Sequence, residues 1–225
     1  MADSQTSPHS SAPLVIQRVQ PYERRGIALT CEAIGADGRI AEPYSAYHDE
    51  IVPGLSWSAV LEAQTYALVV EDPDAPGDRP FLHWLMWNIP GQAIGLPAGL
   101  PRLARPPQLA GAVQGLNGAG GVGWHGPKPP PGHGLHRYHF QLFALGGRLD
   151  HLEPDAGLET LVSALKGLTL AAADLVGTYQ RLDGAQAPAE RPFISADENA
   201  RGGLDADDLD RHAPHTPSGE VLRGA

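Results

Sequence analysis

Cysteine is almost absent from this chain. The single residue, Cys31, excludes an intrachain disulfide and any centre built on several thiolates. That scarcity fits a reducing compartment, and a cytoplasmic location is expected. Positive charge is also short, with 16 Lys and Arg against 26 Asp and Glu, for a net charge of −10. Such a surface repels phosphate backbones and acidic headgroups at long range, so nucleic acid is not an expected partner. No run approaches the roughly 20 apolar residues of a membrane helix, so integral membrane association is not expected either. The polar stretch Met1–Pro13 lacks the apolar core of a secretory leader. No Gly-x-Ser-x-Gly motif occurs. The Gly118–Gly123 run lacks the Lys-Ser or Lys-Thr of a phosphate-binding loop.

Glycine and proline are plentiful, at 27 and 22 residues, and spread along the chain. That favours many short strands and turns over a helical bundle. A length of 225 residues suits one domain with tails. The expected division is a disordered N-terminal tail at 1–12, a folded domain at 13–185 and an acidic, disordered tail at 186–225. The last stretch carries eight acids and four bases with few large apolar residues, Phe193-Ile194 being the one candidate for docking.

Within the domain, alternation predicts strands over Leu14–Val19, Gly26–Ile34, Thr65–Glu71, Phe81–Ile89 and His136–Leu145, with a short one near Gly111–Gln114. Thr65–Glu71 is apolar on both sides and should be central. Cys31 shares a face with Ile27, Leu29 and Ala33, which reads as a small buried hydrophobe. Helical spacing covers Leu158–Leu168, Leu170–Leu175 looks helical, and Gly177–Leu182 reads as a closing strand.

Chemistry concentrates in two segments. Asp72-Pro-Asp-Ala-Pro is followed by His83-Trp84, and Gly126-Pro-Lys-Pro-Pro-Pro-Gly is followed by His136-Arg-Tyr. Proline stiffens both turns and makes a cis bond at Ala75–Pro76 an expectation. His83 falls on the face of Phe81, Leu85 and Trp87, while His136 and Tyr138 share a face of their strand. Convergence of Asp72, Asp74, His83, His136 and Tyr138 would suit a hydrogen phosphate or phosphoester, held by imidazole and phenol donors with carboxylates charging the histidines. Each residue also has a bland reading as turn former, core histidine or core aromatic. Arg137 points opposite His136 and reads as a structural ion-pair partner or a surface group. His125, His133 and His139 lack ligand spacing, and no metal is expected.

The joint pattern resembles the phosphatidylethanolamine-binding protein family, in its bacterial Raf-kinase-inhibitor-like branch. Further likenesses are Leu55-Ser-Trp57, Asn88-Ile-Pro90 and Ala173-Asp-Leu-Val-Gly-Thr-Tyr179. The resemblance spans roughly Leu14 to Arg181. It implies a mainly β, antiparallel two-sheet β-sandwich with a Greek-key element and a few peripheral helices. It also implies a small anion pocket formed by Asp72, Asp74, His83, Gly126, His136 and Tyr138, rimmed by the Pro-rich loop. Lys128 stands where many bacterial relatives carry Cys, which places a cation at that rim.

The expected function is binding of a phosphate-bearing ligand: a small molecule, a phospholipid headgroup or a phosphorylated residue. No cofactor is expected. A regulated kinase or protease and a homodimer are partners that the resemblance allows. Two other classes stay open. One is a phosphoester or ester hydrolase with His83 or His136 as general acid–base. The other is an interaction protein acting through its surface and acidic tail. Removing residues 186–225 should leave the melting temperature within about 2 °C, less than about 1 kcal/mol for a domain of this size. Calorimetric scans of the full and shortened chains test this, and a larger drop would show a docked tail.

Overall fold

The computed structural model describes residues 10–19, 21 and 26–181. They build two antiparallel sheets. The smaller contains β1 (Leu29–Cys31), β2 (Leu55–Trp57) and β5 (Gly95–Leu96), in the order β1-β2-β5. The larger contains β3 (Thr65–Asp72), β4 (Phe81–Pro90), β6 (Val113–Gln114), β7 (His136–Leu145) and β8 (Thr169–Tyr179), in the order β6-β4-β3-β7-β8. Strand β7 returns by a long connection to lie beside β3, so β7-β3-β4-β6 is a Greek-key order. The expected mainly β, two-sheet architecture is therefore present.

The large sheet is buried on both faces. Tyr66, Leu68 and Val70 of β3 pack with Trp84, Met86, Tyr138, Phe140 and Leu142 against Cys31, Leu55, Trp57 and Leu96 of the small sheet. On the other face Ala67, Val69, Leu85, Trp87, Phe143 and Leu145 pack against Val15, Leu161, Val162 and Leu165. The latter four come from α1 (Val15–Arg18) and α2 (Leu158–Leu165). Every residue of β3 is buried, which explains why its sequence is apolar on both sides. Burial pushes the Cys31 thiol up to about 11, leaving it an inert core group. No helix among the described residues is long and apolar enough to cross a membrane.

Two segments differ from the sequence expectation. Leu14–Val19 was expected as a strand, but its centre is the single helical turn α1. The first amides of a helix lack partners within it. Here the large sheet supplies them, with Val15 N–H donating to Glu71 Oε2 at 2.9 Å and Ile16 N–H to Gln141 Oε1 at 2.6 Å. Leu170–Leu175 was expected as a helix but lies within β8, which pairs with β7 from His136↔Tyr179 to Leu145↔Thr169. Gly167, at φ +80°, ends the helical stretch, and pairing with an ordered neighbour outweighs the helix propensity of Leu and Ala. Part of the expected N-terminal tail is bonded to the domain, since Ser10 N–H donates to the Pro73 carbonyl at 3.0 Å. Residues 1–9, the acidic stretch 186–225 and Phe193-Ile194 lie outside the described residues.

Glu71 is 2% exposed. Burial raises its pKa, and the bonds from Gln141 and Val15 offset only part of that rise. A raised folded pKa favours the protonated acid, so its contribution to stability is present at low pH and lost as pH rises through the folded value. Glu71→Gln keeps the carbonyl acceptor and removes the charge. It should raise the melting temperature over wild type at pH 8, with the gap closing toward pH 4. Thermal scans across that range test it, and a variant less stable at every pH would contradict it.

Candidate functional site

Three strands of the large sheet deliver the polar groups to one end of the sandwich. Asp72 is the last residue of β3, and His136 and Tyr138 lie at the start of β7 on its inward face. His83 arrives by a different route from the one that simple alternation predicts. Val70 pairs with Trp84 and Glu71 with Leu82, so at this end β4 carries an extra residue, His83, in addition to one near Trp87 and Asn88. The bulge reverses the phase of the strand. Leu85 and Trp87 face the helical layer, whereas the His83 ring lies 4.9 Å from Tyr138 and 6.2 Å from Trp124 on the inter-sheet side. The expected shared face of His83, Leu85 and Trp87 is therefore corrected by the bulge.

Asp72, His83 and His136 line a cavity of about 400 Å³, while Tyr138, expected in the same pocket, is fully buried behind it against the His83 ring. Asp72, His83, His125 and His136 supply its polar groups, Ala75, Pro76, Phe81 and Ala119 most of its apolar wall, and Lys128, Pro129 and Pro130 its rim. Asp72 Oδ1 accepts the Asp74 N–H at 2.8 Å, and Oδ2 lies 2.8 Å from His136 Nδ1. This turn reverses the chain with no cis peptide among the described residues, so the expected cis bond at Ala75–Pro76 is not present. The Asx-type hydrogen bond at Asp72–Asp74 closes the turn with trans prolines.

His136 places its remaining nitrogen, Nε2, toward the cavity it lines. That atom and the Tyr138 hydroxyl are both buried and have no hydrogen-bond partner in the protein. Only four buried side-chain polar atoms among the described residues share that condition, and two of them meet here. Buried polar groups are normally paired, so this pair stands out among the described residues. Burial raises the Tyr138 phenol, which keeps it protonated and able to donate.

His83 Nδ1 lies 2.6 Å from the His125 carbonyl and donates to it, while Nε2 stands 4.0 Å from Asp72 Oδ2. Burial pushes the His83 pKa down to about 4, and the His125 carbonyl and Asp72 offset only part of the fall. At neutral pH this imidazole is uncharged, with a lone pair on Nε2. The expectation that both histidines act as charged donors does not hold for His83.

Asp74 and Gly126, expected in the pocket, spend their polar groups beside it. Arg137 grips Asp74 through Nε to Oδ2 at 2.8 Å and Nη2 to Oδ1 at 2.7 Å, which ties the turn to β7 and bears out the structural reading of Arg137. Gly126 donates its N–H to Glu50 Oε1 at 2.9 Å. A Cβ there would lie 2.5 Å from the Tyr44 carbonyl, so only glycine lets the rim loop seat against residues 44–46.

The sequence reading passed over His125 and Glu50. The His125 ring stacks on His83 at 5.9 Å and 15°, and its N–H donates to the His83 carbonyl at 2.8 Å. Its position directly before Gly126-Pro127 was the one available signal. Glu50 had none. Burial alone would raise its carboxyl, but bonds from His125 and Gly126 and the charge of Arg102 hold it at about 2.

Tyr138→Phe discriminates a reserved hydroxyl from a structural one. The hydroxyl makes no bond in the protein, so its removal forfeits none and relieves a desolvation cost of about 1 kcal/mol or more. The unliganded variant should melt at or above the wild-type temperature. A clear fall in melting temperature would show that the hydroxyl is bonded in the free protein.

The comparisons with known proteins agree with this fold. Residues 30–180 match the family model described as phosphatidylethanolamine-binding protein. A UPF0098 protein of Methanothermobacter thermautotrophicus is 42% identical over 154 residues, covering 68% of this chain and 98% of the relative. The crystal structure of a phosphatidylethanolamine-binding protein homologue from Chlamydia trachomatis is 35% identical, with a TM-score of 0.61, covering 69% of this chain and 98% of that one. Escherichia coli YbcL is 26% identical, with a TM-score of 0.64 and the same coverage of 69% and 98%. On this similarity the chain belongs to the phosphatidylethanolamine-binding protein family.

Proposed function

We propose that the protein binds a phosphate-bearing ligand in the cavity lined by Asp72, His83 and His136, with the Tyr138 hydroxyl reached beside His83. The observation that carries this reading is the pair of buried, unpartnered groups, His136 Nε2 and the Tyr138 hydroxyl. The Tyr138 hydroxyl donates to one phosphate oxygen. His136, its Nδ1 turned to Asp72, meets a second oxygen through Nε2. His83 offers a lone pair and so accepts from a protonated phosphate oxygen. A phosphate monoanion satisfies all three; a dianion leaves the His83 lone pair opposed. A cavity of about 400 Å³ lies toward the small end of ligand pockets, which suits a headgroup, a small phosphoester or a phosphorylated side chain.

Two results follow from that arrangement. A phosphate ester loses its second proton near pH 6, so above that pH the bound monoanion must regain one. Affinity should therefore rise as pH falls from about 8 to about 6, by up to roughly tenfold per unit, and then level off. Titration calorimetry with ethyl phosphate, repeated in buffers of different ionisation enthalpy, should show net proton uptake. Replacing His136 with Ala should cost about 1.5–3 kcal/mol of binding, or roughly ten- to a hundredfold. His139→Ala is the control, because His139 faces away and contacts Asp174 at 2.9 Å. Equal affinity of wild type and His136→Ala, or proton release on binding, would overturn the reading.

A further inference from the structure

The mouth of the cavity contains a second carboxylate–imidazole pair, built independently of Asp72 and His136. Glu50 Oε1 lies 3.1 Å from His125 Nδ1 and accepts the Gly126 N–H at 2.9 Å. Its other oxygen takes Arg102 Nη1 at 3.0 Å. Glu50 holds φ +52°, a left-handed conformation disfavoured for a residue with a Cβ, so the local chain is bent to bring this carboxylate to the loop. His125 is held on both sides of its backbone by His83, through its own N–H at 2.8 Å and its carbonyl at 2.6 Å. With Nδ1 committed to Glu50, Nε2 is the nitrogen that His125 presents to the cavity it lines. Lys128, exposed on the rim, lines the same cavity three residues later.

The acids around this mouth are already engaged. Glu50 is satisfied by Arg102, the Gly126 N–H and His125. Asp74 is held by Arg137, and Asp72, on the floor, by His136 and the Asp74 N–H. A ligand with an ammonium group beside its phosphate finds no carboxylate at the mouth to receive it. A ligand with a second acidic group finds His125 Nε2 and the Lys128 ammonium. The ammonium donates to anions outright, and His125 Nε2 donates when the ring carries both protons, one of them held by Glu50 at Nδ1.

We infer that His125, oriented by Glu50, and Lys128 form a second anion contact, and that the ligand is a phosphoester carrying a further acidic group. This inference rests on the phosphate-pocket reading above and narrows it. It assigns His125 a specificity role: the floor recognises the phosphate, and the mouth selects what is attached to it. Glu50 acts through His125 as a positioning residue.

The test uses three probes of similar size: ethyl phosphate, 2-phosphoglycolate and phosphoethanolamine. Titration calorimetry on the full chain should show 2-phosphoglycolate binding about tenfold more tightly than ethyl phosphate, the worth of one charge-assisted hydrogen bond. Phosphoethanolamine should bind no better than ethyl phosphate. His125→Leu should weaken 2-phosphoglycolate about tenfold more than it weakens ethyl phosphate, since a purely structural role would weaken all three probes alike. Lys128→Met alters an exposed side chain and does not threaten folding. It should reduce the preference by itself, so the inference stays testable even if the His125 variant does not fold. No detectable binding of ethyl phosphate or 2-phosphoglycolate to the wild type would end the phosphate-pocket reading and this inference with it. Binding of both at equal affinity, or a preference unchanged in both variants, would end this inference alone.

Discussion

The hydrogen bond between Asp72 and His136 is the contact around which the site is arranged. A carboxylate with 2% exposure is costly to keep ionised, and it persists in a protein interior only with close partners. The imidazole and the Asp74 amide provide them at 2.8 Å each. The same contact sets the direction of the ring, because occupying Nδ1 turns Nε2 toward the cavity. Tyr138 then needs no partner of its own to be placed, since it shares the inward face of β7. Remove the carboxylate, and the ring loses its orientation and the fixed charge behind it.

Around that contact the fold supplies rigidity without contributing polar groups. Strand β3 is buried along its whole length between two apolar layers, so its end cannot shift without disturbing both. The Arg137–Asp74 pair fastens the turn beyond β3 to the start of β7. Gly126 seats the rim loop against residues 44–46, where any side chain would collide with backbone. The pocket is thus held by elements that do not themselves touch a ligand, which keeps its donors aimed before anything binds.

How much of this could be read from the chain depended on the range of the interaction. Strand β7 was legible to the residue, because its alternation is strict and both flanks are turn-rich. Thr65–Glu71 was legible as a central strand from its two apolar faces. Leu170–Leu175 was not, because Leu and Ala favour helix locally and only the partner strand makes them extended. The single turn at Val15–Arg18 was not, because its first amides are satisfied by Glu71 and Gln141, more than fifty residues away. In the site, Asp72, His83 and His136 of the motif set line one cavity, whereas Asp74, Gly126 and Tyr138 lie beside it. His83 was assigned to the wrong face, because a bulge leaves no mark in an alternation pattern. Glu50 and His125 were passed over because their meeting depends on a long-range approach between two loops.

The extra residue at His83 in β4 makes this strand a frame-dependent element. Loops on the same sandwich can gain or lose a residue with a local adjustment of their path. A deletion between Phe81 and Trp84 has no such freedom. It would restore regular alternation to the end of β4, and His83 and Trp84 would compete for a single inward position. Trp84 anchors the inter-sheet core and bonds Gln114 through Nε1 at 2.8 Å, so the indole would hold its place and the imidazole would be expelled. The polar cavity and the hydrophobic core thus share one count of residues. A chain that loses that count can keep its fold and lose its pocket.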